Sequence, residues 1–258
     1  MSDGVEVVTE QVGCVQVLEM HRPEVLNALN MRMIEALEGA IRDAGRDATV
    51  KCLVLRGSGR AFCAGDDLRG VGFPDRHNPS LHEELYHGHW RVVEELRGLE
   101  KPVVAALHGY ALGGGCDYAL AADLRVADST LQLGKPYMAR GMAGGVAPLA
   151  ALLGLSVTTD LLLTGRFLGT DEAVARGLVH RVAPDGAASA SAIELATEVA
   201  QGSPTALALT KRVLSEQWRR RVDDFLFADN YAALVAGHSP EQQEGVQAFL
   251  DKRRPEFD

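Results

Sequence analysis

The period of apolar and polar positions changes several times along the chain, and each change predicts an element. Val5 to Val8 and Val15 to Leu18 are short β-rich runs around Gly13, the mark of an opening antiparallel pair. From Ala28 to Ala44 the period lengthens. Leu29, Met33, Ile34, Leu37, Ala40 and Ile41 recur at three- and four-residue spacing, which predicts an amphipathic helix. Cys52 to Leu55 reads as a buried strand stopped by Arg56-Gly-Ser-Gly. A glycine- and aspartate-rich turn (Cys63 to Gly72), a polar loop holding Pro74 and Pro79, and a helix from about Leu81 to Leu99 follow. Lys101-Pro102 restarts the chain as a second buried strand, Val103 to Leu107. Gly109 to Gly115 then opens a helix of small residues that leads to a third strand near Leu124 to Val126.

From Val146 onward the pattern is almost wholly helical: Leu149 to Leu153, Thr159 to Leu163, Asp171 to Arg176, Ala190 to Ala200, and a long segment from Pro204 to about Val235. Repeated strand, glycine turn and helix in the first half predict an α/β fold. The helical second half is expected to pack on the first half or on another copy. No low-complexity tract or charge block marks a linker, so the division into 1–200 and 201–258 is a soft one.

Composition narrows the function classes. The 258 residues carry 26 basic and 35 acidic side chains, a net charge of −9, with a pI near 5.4. That argues against a nucleic-acid coat, whose affinity comes from clustered Lys and Arg. The mid-chain apolar run Pro102 to Leu107 is far short of the ~18 residues of a membrane span, so no membrane partner is expected. Met1 to Gln11 shows no readable targeting segment, and a cytoplasmic location is the expectation. Cys14, Cys52, Cys63 and Cys116 form no C-x-x-C pair and read as reduced thiols, mostly in the core.

The histidines His77, His82, His87 and His89 invite a metal reading, and His82-Glu83-Glu84-Leu85-Tyr86-His87 looks like a zincin. Five-residue spacing puts the two rings about 140° apart on a helix, however, against about 40° for residues four apart. A solvated helix face is the reading kept, with no metal. Gly57-Ser-Gly-Arg-Ala-Phe62 follows a strand but lacks the third glycine of a dinucleotide fingerprint. No phosphate loop G-x-x-x-x-G-K-[ST] or serine elbow G-x-S-x-G is present.

Two other glycine turns carry more. Phe62 to Leu68 and His108 to Asp117 each leave a predicted strand; in neighbouring parallel strands both would emerge at the sheet edge where α/β folds bind ligands. Gly113, Gly114 and Gly115 let the backbone approach a ligand, and the helix behind them offers unpaired N–H groups able to hold an oxyanion. Close helix-sheet packing explains three glycines equally well.

The segments His21-Arg-Pro-Glu-Val-Leu-Asn-Ala-Leu29, Ala61-Phe-Cys-Ala-Gly-Asp-Asp-Leu68, Lys101-Pro-Val-Val-Ala-Ala-Leu-His-Gly-Tyr-Ala-Leu-Gly-Gly-Gly115 and Leu163-Thr-Gly-Arg, with Ala173 and Gly177-Leu-Val179, resemble in order and spacing the signatures of the enoyl-CoA hydratase/isomerase (crotonase) family. So do Ser203-Pro, Ala206, Thr210-Lys-Arg and Phe249-Leu-Asp-Lys-Arg-Arg-Pro, and the likeness covers nearly the whole chain. It implies a spiral of β-β-α turns with a C-terminal helical trimerisation region, assembled as a homotrimer or as a hexamer of two trimers. It also implies an acyl-coenzyme A thioester as substrate, with no metal or redox cofactor.

Carried over by the same resemblance, the backbone N–H groups of Asp66 and Gly114 form an oxyanion hole for the thioester oxygen, and Gly113 and Gly114 are among the residues that bind the substrate. Asp66, Asp67, Leu68 and Arg69 follow the coenzyme A chain, and main-chain groups of Ala64 and Leu68 lie near the adenine. The catalytic positions depart from the pattern. Where hydratases of the family carry two glutamates, this chain has Asp117 and Tyr137, the latter in Gly134-Lys-Pro-Tyr137. Three readings follow. Asp117 serves as general acid or base for water addition, its pKa raised by burial, with Tyr137 orienting the water. Alternatively, one carboxylate shuttles a proton in an enoyl-CoA isomerase, or the hole supports decarboxylation, thioester hydrolysis or C–C hydrolysis. In the third, Asp117 only stabilises the first turn of its helix, and the protein binds acyl-CoA without turnover. Tyr137 reads as a pocket wall or a proton carrier. Arg140 and Met142 are either acyl-pocket or loop residues. Lys211, Arg212, Lys252 and Arg253 are read as solvated helix charges or as contacts to the coenzyme A phosphates. The stretch from Gly70 to His89 is expected to shape the acyl pocket.

Overall fold

In the central strands successive side chains enter two different cores. Leu53 and Leu55 face one cluster while Cys52 and Val54 face the other, and Val103, Ala105 and Leu107 alternate in the same way with Val104 and Ala106. Strands buried on both faces need helices on both sides, which is why they read as continuous apolar runs. The computed structural model describes residues 5–69 and 79–257, with the backbone alone for residues 79–87 and Asp224.

The chain opens with β1 (Val7–Val12) and β2 (Val15–Met20), antiparallel with Val12 opposite Val15 across Gly13. α1 (Met31–Arg46) leads to β3 (Cys52–Gly57), and α2 (Pro79–Gly98) to β4 (Val103–Leu107). β5 (Tyr110–Leu112), α3 (Gly114–Ala121), β6 (Leu124–Ala127) and β7 (Gln132–Gly134) follow. Next come α4 (Val146–Thr164), β8 (Leu168–Gly169), α5 (Thr170–Ala175) and β9 (Arg181–Val182). α6 (Ala188–Val199), α7 (Pro204–Gly237) and α8 (Pro240–Leu250) close the chain.

The main sheet has the order β1-β2-β3-β4-β6-β9 and is parallel beyond its first pair; β5, β7 and β8 form a second, three-stranded sheet. β3 and β4 are neighbours, with Leu53 opposite Val103, so the two glycine turns do emerge at one edge. α6 covers one face of the main sheet, and the larger core lies on the other, among α1, α2, α3 and α4.

Three departures from the sequence reading have physical causes. α1 begins at Met31 rather than Ala28. Leu26 and Asn27 take left-handed φ values of 57° and 56°, and the Asn30 side chain caps the helix by accepting from Met33 N at 2.8 Å. β5, β7, β8 and β9 lie outside the sequence reading, which had Gly109 to Gly115 opening a helix, because strands of two or three residues show no periodicity. α4 divides at Gly154, whose φ of 74° and ψ of 163° are not helical, in keeping with the two helical runs read there; taken end to end, its 19 residues with a mean hydropathy of 1.8 are long and apolar enough to cross a membrane by length and composition, which the run Pro102 to Leu107 did not suggest. In the fold it packs on α7, whose Asp229 accepts from Val146 N at 3.1 Å and Ala147 N at 2.7 Å.

Candidate active site

The first glycine turn is built by the segment that precedes α1. Asn27 is fully buried; its amide donates to Ser58 O and Ala61 O, both at 2.8 Å, and accepts from Arg22 N at 2.9 Å. Leu29 N donates to Gly65 O (2.8 Å) and Asp67 N to Leu29 O (2.9 Å), which lays residues 64–67 along residues 26–29. The Asp67 carboxylate is buried against the Arg22 guanidinium at 2.9 Å. Its side chain therefore holds the turn together at the edge of the groove that the candidate residues line.

The second turn is stitched to the first. Phe62 N donates to His108 O, Cys63 N to Tyr110 O and Leu112 N to Cys63 O, at 2.8–2.9 Å. Gly65 (φ +88°) and Gly113 (φ +52°) meet: a Cβ at Gly65 would lie 2.8 Å from Leu112 O, and one at Gly113 would lie 3.6 Å from Gly65 Cα. Only glycine admits this approach. Asp66 and Gly114, the residues after these two glycines, are thereby brought together, with Gly114 N among the first N–H groups of α3, which have no partner within the helix.

Two adjoining cavities meet at this point. An outer groove of about 290 Å³ is lined by Leu26, Ala64, Asp66, Leu68, Arg69, Gly113, Tyr137, Arg140 and Met142, among others. An inner cavity of about 70 Å³ is lined by Asp66, His89, Gly114, Asp117, Lys135, Tyr137 and Met142, with Asp229 and Gln242 from the C-terminal helices. The two share Asp66, Tyr137 and Met142. The candidate residues Ala64, Asp67, Leu68, Arg69 and Gly113 thus belong to the groove, and Gly114 and Asp117 to the inner cavity.

Asp117 sits in the first turn of α3 with 5% exposure, and both carboxylate oxygens are engaged: Oδ1 with Lys135 Nζ at 2.6 Å and Oδ2 with His89 Nε2 at 3.0 Å. Burial pushes its pKa up, but the positive charge of Lys135 and the hydrogen bonds from His89 and Lys135 outweigh it and hold the carboxyl below the ordinary carboxylate range. The expectation of a raised pKa is thereby corrected. Lys135 is 1% exposed, and its ammonium lies 5.8 Å from the Tyr137 ring. The Tyr137 hydroxyl faces Gly113, where an added Cβ would stand 3.8 Å from it.

His89 and Lys135 are the site residues that the sequence reading missed. The solvated-face reading of His89 is overturned: the residue is buried and stacks on Tyr118, ring centroids 5.0 Å apart. A signal did exist. His89, Val92, Val93 and Leu96 fall at the i, i+3, i+4, i+7 positions of one α2 face, and all four are buried. His77 and the side chains of His82 and His87 lie outside the described residues, as does the acyl-pocket expectation for residues 70–78. Among the described residues no cluster of three or more His, Cys, Asp or Glu could hold a metal ion. The cysteines are free, and burial pushes the Cys63 thiol up to about 12. Lys211 is neither solvated nor near the groove: its buried ammonium donates to Leu96 O (2.9 Å) and Lys101 O (2.8 Å) and pairs with Asp123 at 2.8 Å. Arg253 pairs with Glu244 at the surface.

Comparison with known proteins agrees with this architecture. The family model described as enoyl-CoA hydratase/isomerase matches residues 10–258. The chain is 30% identical to a short-chain-enoyl-CoA hydratase of Clostridium acetobutylicum (97% of this chain, 96% of that protein) and 30% identical to a 2,3-dehydroadipyl-CoA hydratase of Escherichia coli K12 (98% of each). The crystal structure of an enoyl-CoA hydratase from Mycobacterium avium subsp. paratuberculosis superimposes with a TM-score of 0.87 at 26% identity, covering 98% of this chain and 99% of that one. The crotonase-like architecture expected from the sequence is therefore the fold found, and the chain belongs to the enoyl-CoA hydratase/isomerase family.

Proposed function

We propose that this protein is an enoyl-CoA hydratase, adding water across the α,β double bond of an acyl-coenzyme A thioester. The observation that carries the reading is the inner cavity, where the residues after two abutting glycine turns stand opposite a buried, ionised carboxylate. The outer groove receives the coenzyme A chain along Ala64, Asp66, Leu68 and Arg69. The thioester oxygen accepts from Asp66 N and Gly114 N. When water adds to Cβ, the π electrons move onto that oxygen, and two fixed backbone donors stabilise the charge without reorganising. Asp117 provides the negative charge on which the proton transfer depends, and Tyr137, beside Gly113, orients the water.

The electrons displaced in this addition rest on the thioester oxygen, so the reaction as written calls for no redox partner and no metal. We read the assembly as trimer-based. In support, α7 leaves Val213, Leu214, Phe227, Tyr231, Leu234 and Val235 exposed, and apolar side chains gathered along one helix suit a surface that another subunit covers.

A second reading, enoyl-CoA isomerase, draws on the replacement of one acid position by Tyr137, since moving a proton between two carbons needs one carrier. Crotonyl-CoA and a 3-enoyl-CoA offered separately, with products weighed by mass spectrometry, decide between them. Uptake of one water by crotonyl-CoA is the expected result. Conversion of the 3-enoyl thioester to its conjugated isomer with no water uptake would replace hydratase by isomerase.

A further inference from the structure

His89 lines the inner cavity, and the mechanism so far leaves its ring without a part in the chemistry. Its Nε2 lies 3.0 Å from Asp117 Oδ2, and its Nδ1 is buried with no hydrogen-bond partner among the described residues. Leaving a buried ring nitrogen unpaired is costly, so such an atom calls for a partner that arrives with the ligand. Its position says where that partner would be. A Cβ placed on Gly114 would stand 2.7 Å from Nδ1, which puts this nitrogen directly over the residue that supplies the second oxyanion donor.

Resting on the hydratase reading, we infer that His89 Nδ1 is the proton carrier of the reaction and that Asp117 acts through it as a positioning residue. The alternative, direct proton transfer by Asp117, meets two obstacles. Both of its oxygens are occupied, and Lys135 on one side and His89 on the other make its carboxylate a weaker base than an ordinary one. An ionised carboxylate can only accept, so Nε2 carries a ring proton toward Asp117, and the tautomer this selects leaves the Nδ1 lone pair beside Gly114. Lys135 fixes the carboxylate from the far side, and Tyr118 fixes the ring plane by stacking.

The step balances without another reagent. Nδ1 takes one proton from water while the oxygen bonds to Cβ, and the π pair moves onto the thioester oxygen held at Asp66 and Gly114. The enolate then returns its electron pair through Cα, which takes the proton from Nδ1. The ring ends neutral, and one molecule of water has been added.

The experiment compares wild type, His89→Ala and His89→Ala/Asp117→Asn, with circular dichroism to verify folding. Two reactions are followed: hydration of crotonyl-CoA, and exchange of the Cα protons of butyryl-CoA with deuterated water, which needs the proton carrier and the hole but no hydration. Expected are a loss of ~10²–10⁴-fold in kcat for His89→Ala with little change in KM, and partial recovery on adding free imidazole, which fits the hole left by the ring. The double variant should show no recovery, because the added imidazole then lacks the carboxylate that orients it. Activity of His89→Ala within threefold of wild type, or a loss that imidazole leaves untouched, overturns the inference. Exchange by the wild type without water uptake sinks the hydratase reading while His89 is still judged on exchange; a wild type that does neither overturns both.

Discussion

Replacing Lys135 by methionine tests the electrostatics of the site in isolation from substrate. The ammonium and the Asp117 carboxylate are 2.6 Å apart, with 1% and 5% exposure, so neither charge has water to fall back on. Removing one partner of a buried pair costs ~3–5 kcal/mol, because the remaining charge is stranded. Asp117 keeps its bond to His89 at 3.0 Å, and methionine fills much of the lysine volume, so about 3 kcal/mol is expected at pH 7.

The pH dependence has a definite sign. In the wild type, the folded-state pKa of Asp117 is below its unfolded value, so this group contributes stability above ~3.9 that is lost as pH falls through the folded value. Without Lys135 the burial effect, already the largest influence, is opposed by His89 alone, and the pKa rises. The penalty of an isolated buried carboxylate is then relieved by protonation as pH falls. Urea denaturation should therefore show the largest gap between wild type and Lys135→Met at pH 7, narrowing toward pH 4.5. A gap below ~1 kcal/mol at pH 7, or one constant over this range, would mean that Lys135 does not hold Asp117 ionised.

Other consequences are as direct. Gly114→Ala brings a methyl within 2.7 Å of His89 Nδ1 and 2.8 Å of Leu29 Cδ1, displacing the second oxyanion donor; kcat should fall by ~10²–10³-fold, and a fall below tenfold would count against the hole. Asn27→Ala strands the backbone groups of Arg22, Ser58 and Ala61 and should cost about 3 kcal/mol in thermal melts, with under ~1 kcal/mol as the opposing result. Phe227→Glu, at a residue 84% exposed on α7, should reduce the particle mass in sedimentation if that face joins subunits; an unchanged mass would place the interface elsewhere.

How much the sequence discloses depends on the length scale of the interaction. The long elements and the paired glycine turns were legible because periodicity and backbone freedom are local properties. Asn27 was legible only as part of a motif, since its role depends on carbonyls of residues 58 and 61 that a later strand brings to it. Lys135 and Lys211 carried no local sign of burial. Each ammonium is taken out of water by partners distant in sequence, Asp117 for one and Leu96, Lys101 and Asp123 for the other. His89 did carry one, since it lies on the same buried helix face as Val92, Val93 and Leu96. The neighbouring histidines mask that sign, because four of them in one stretch resemble a metal cluster more than an apolar stripe.

The chemistry depends on where the thioester sits. A crystal structure of the complex with butyryl-CoA, which is saturated and takes up no water, tests this most directly. The thioester oxygen should lie ~3 Å from both Asp66 N and Gly114 N, with Cα and Cβ in the inner cavity between His89 and Tyr137. Coenzyme A bound elsewhere, or a thioester oxygen touching neither nitrogen, would contradict the assignment of this cavity as the reaction centre.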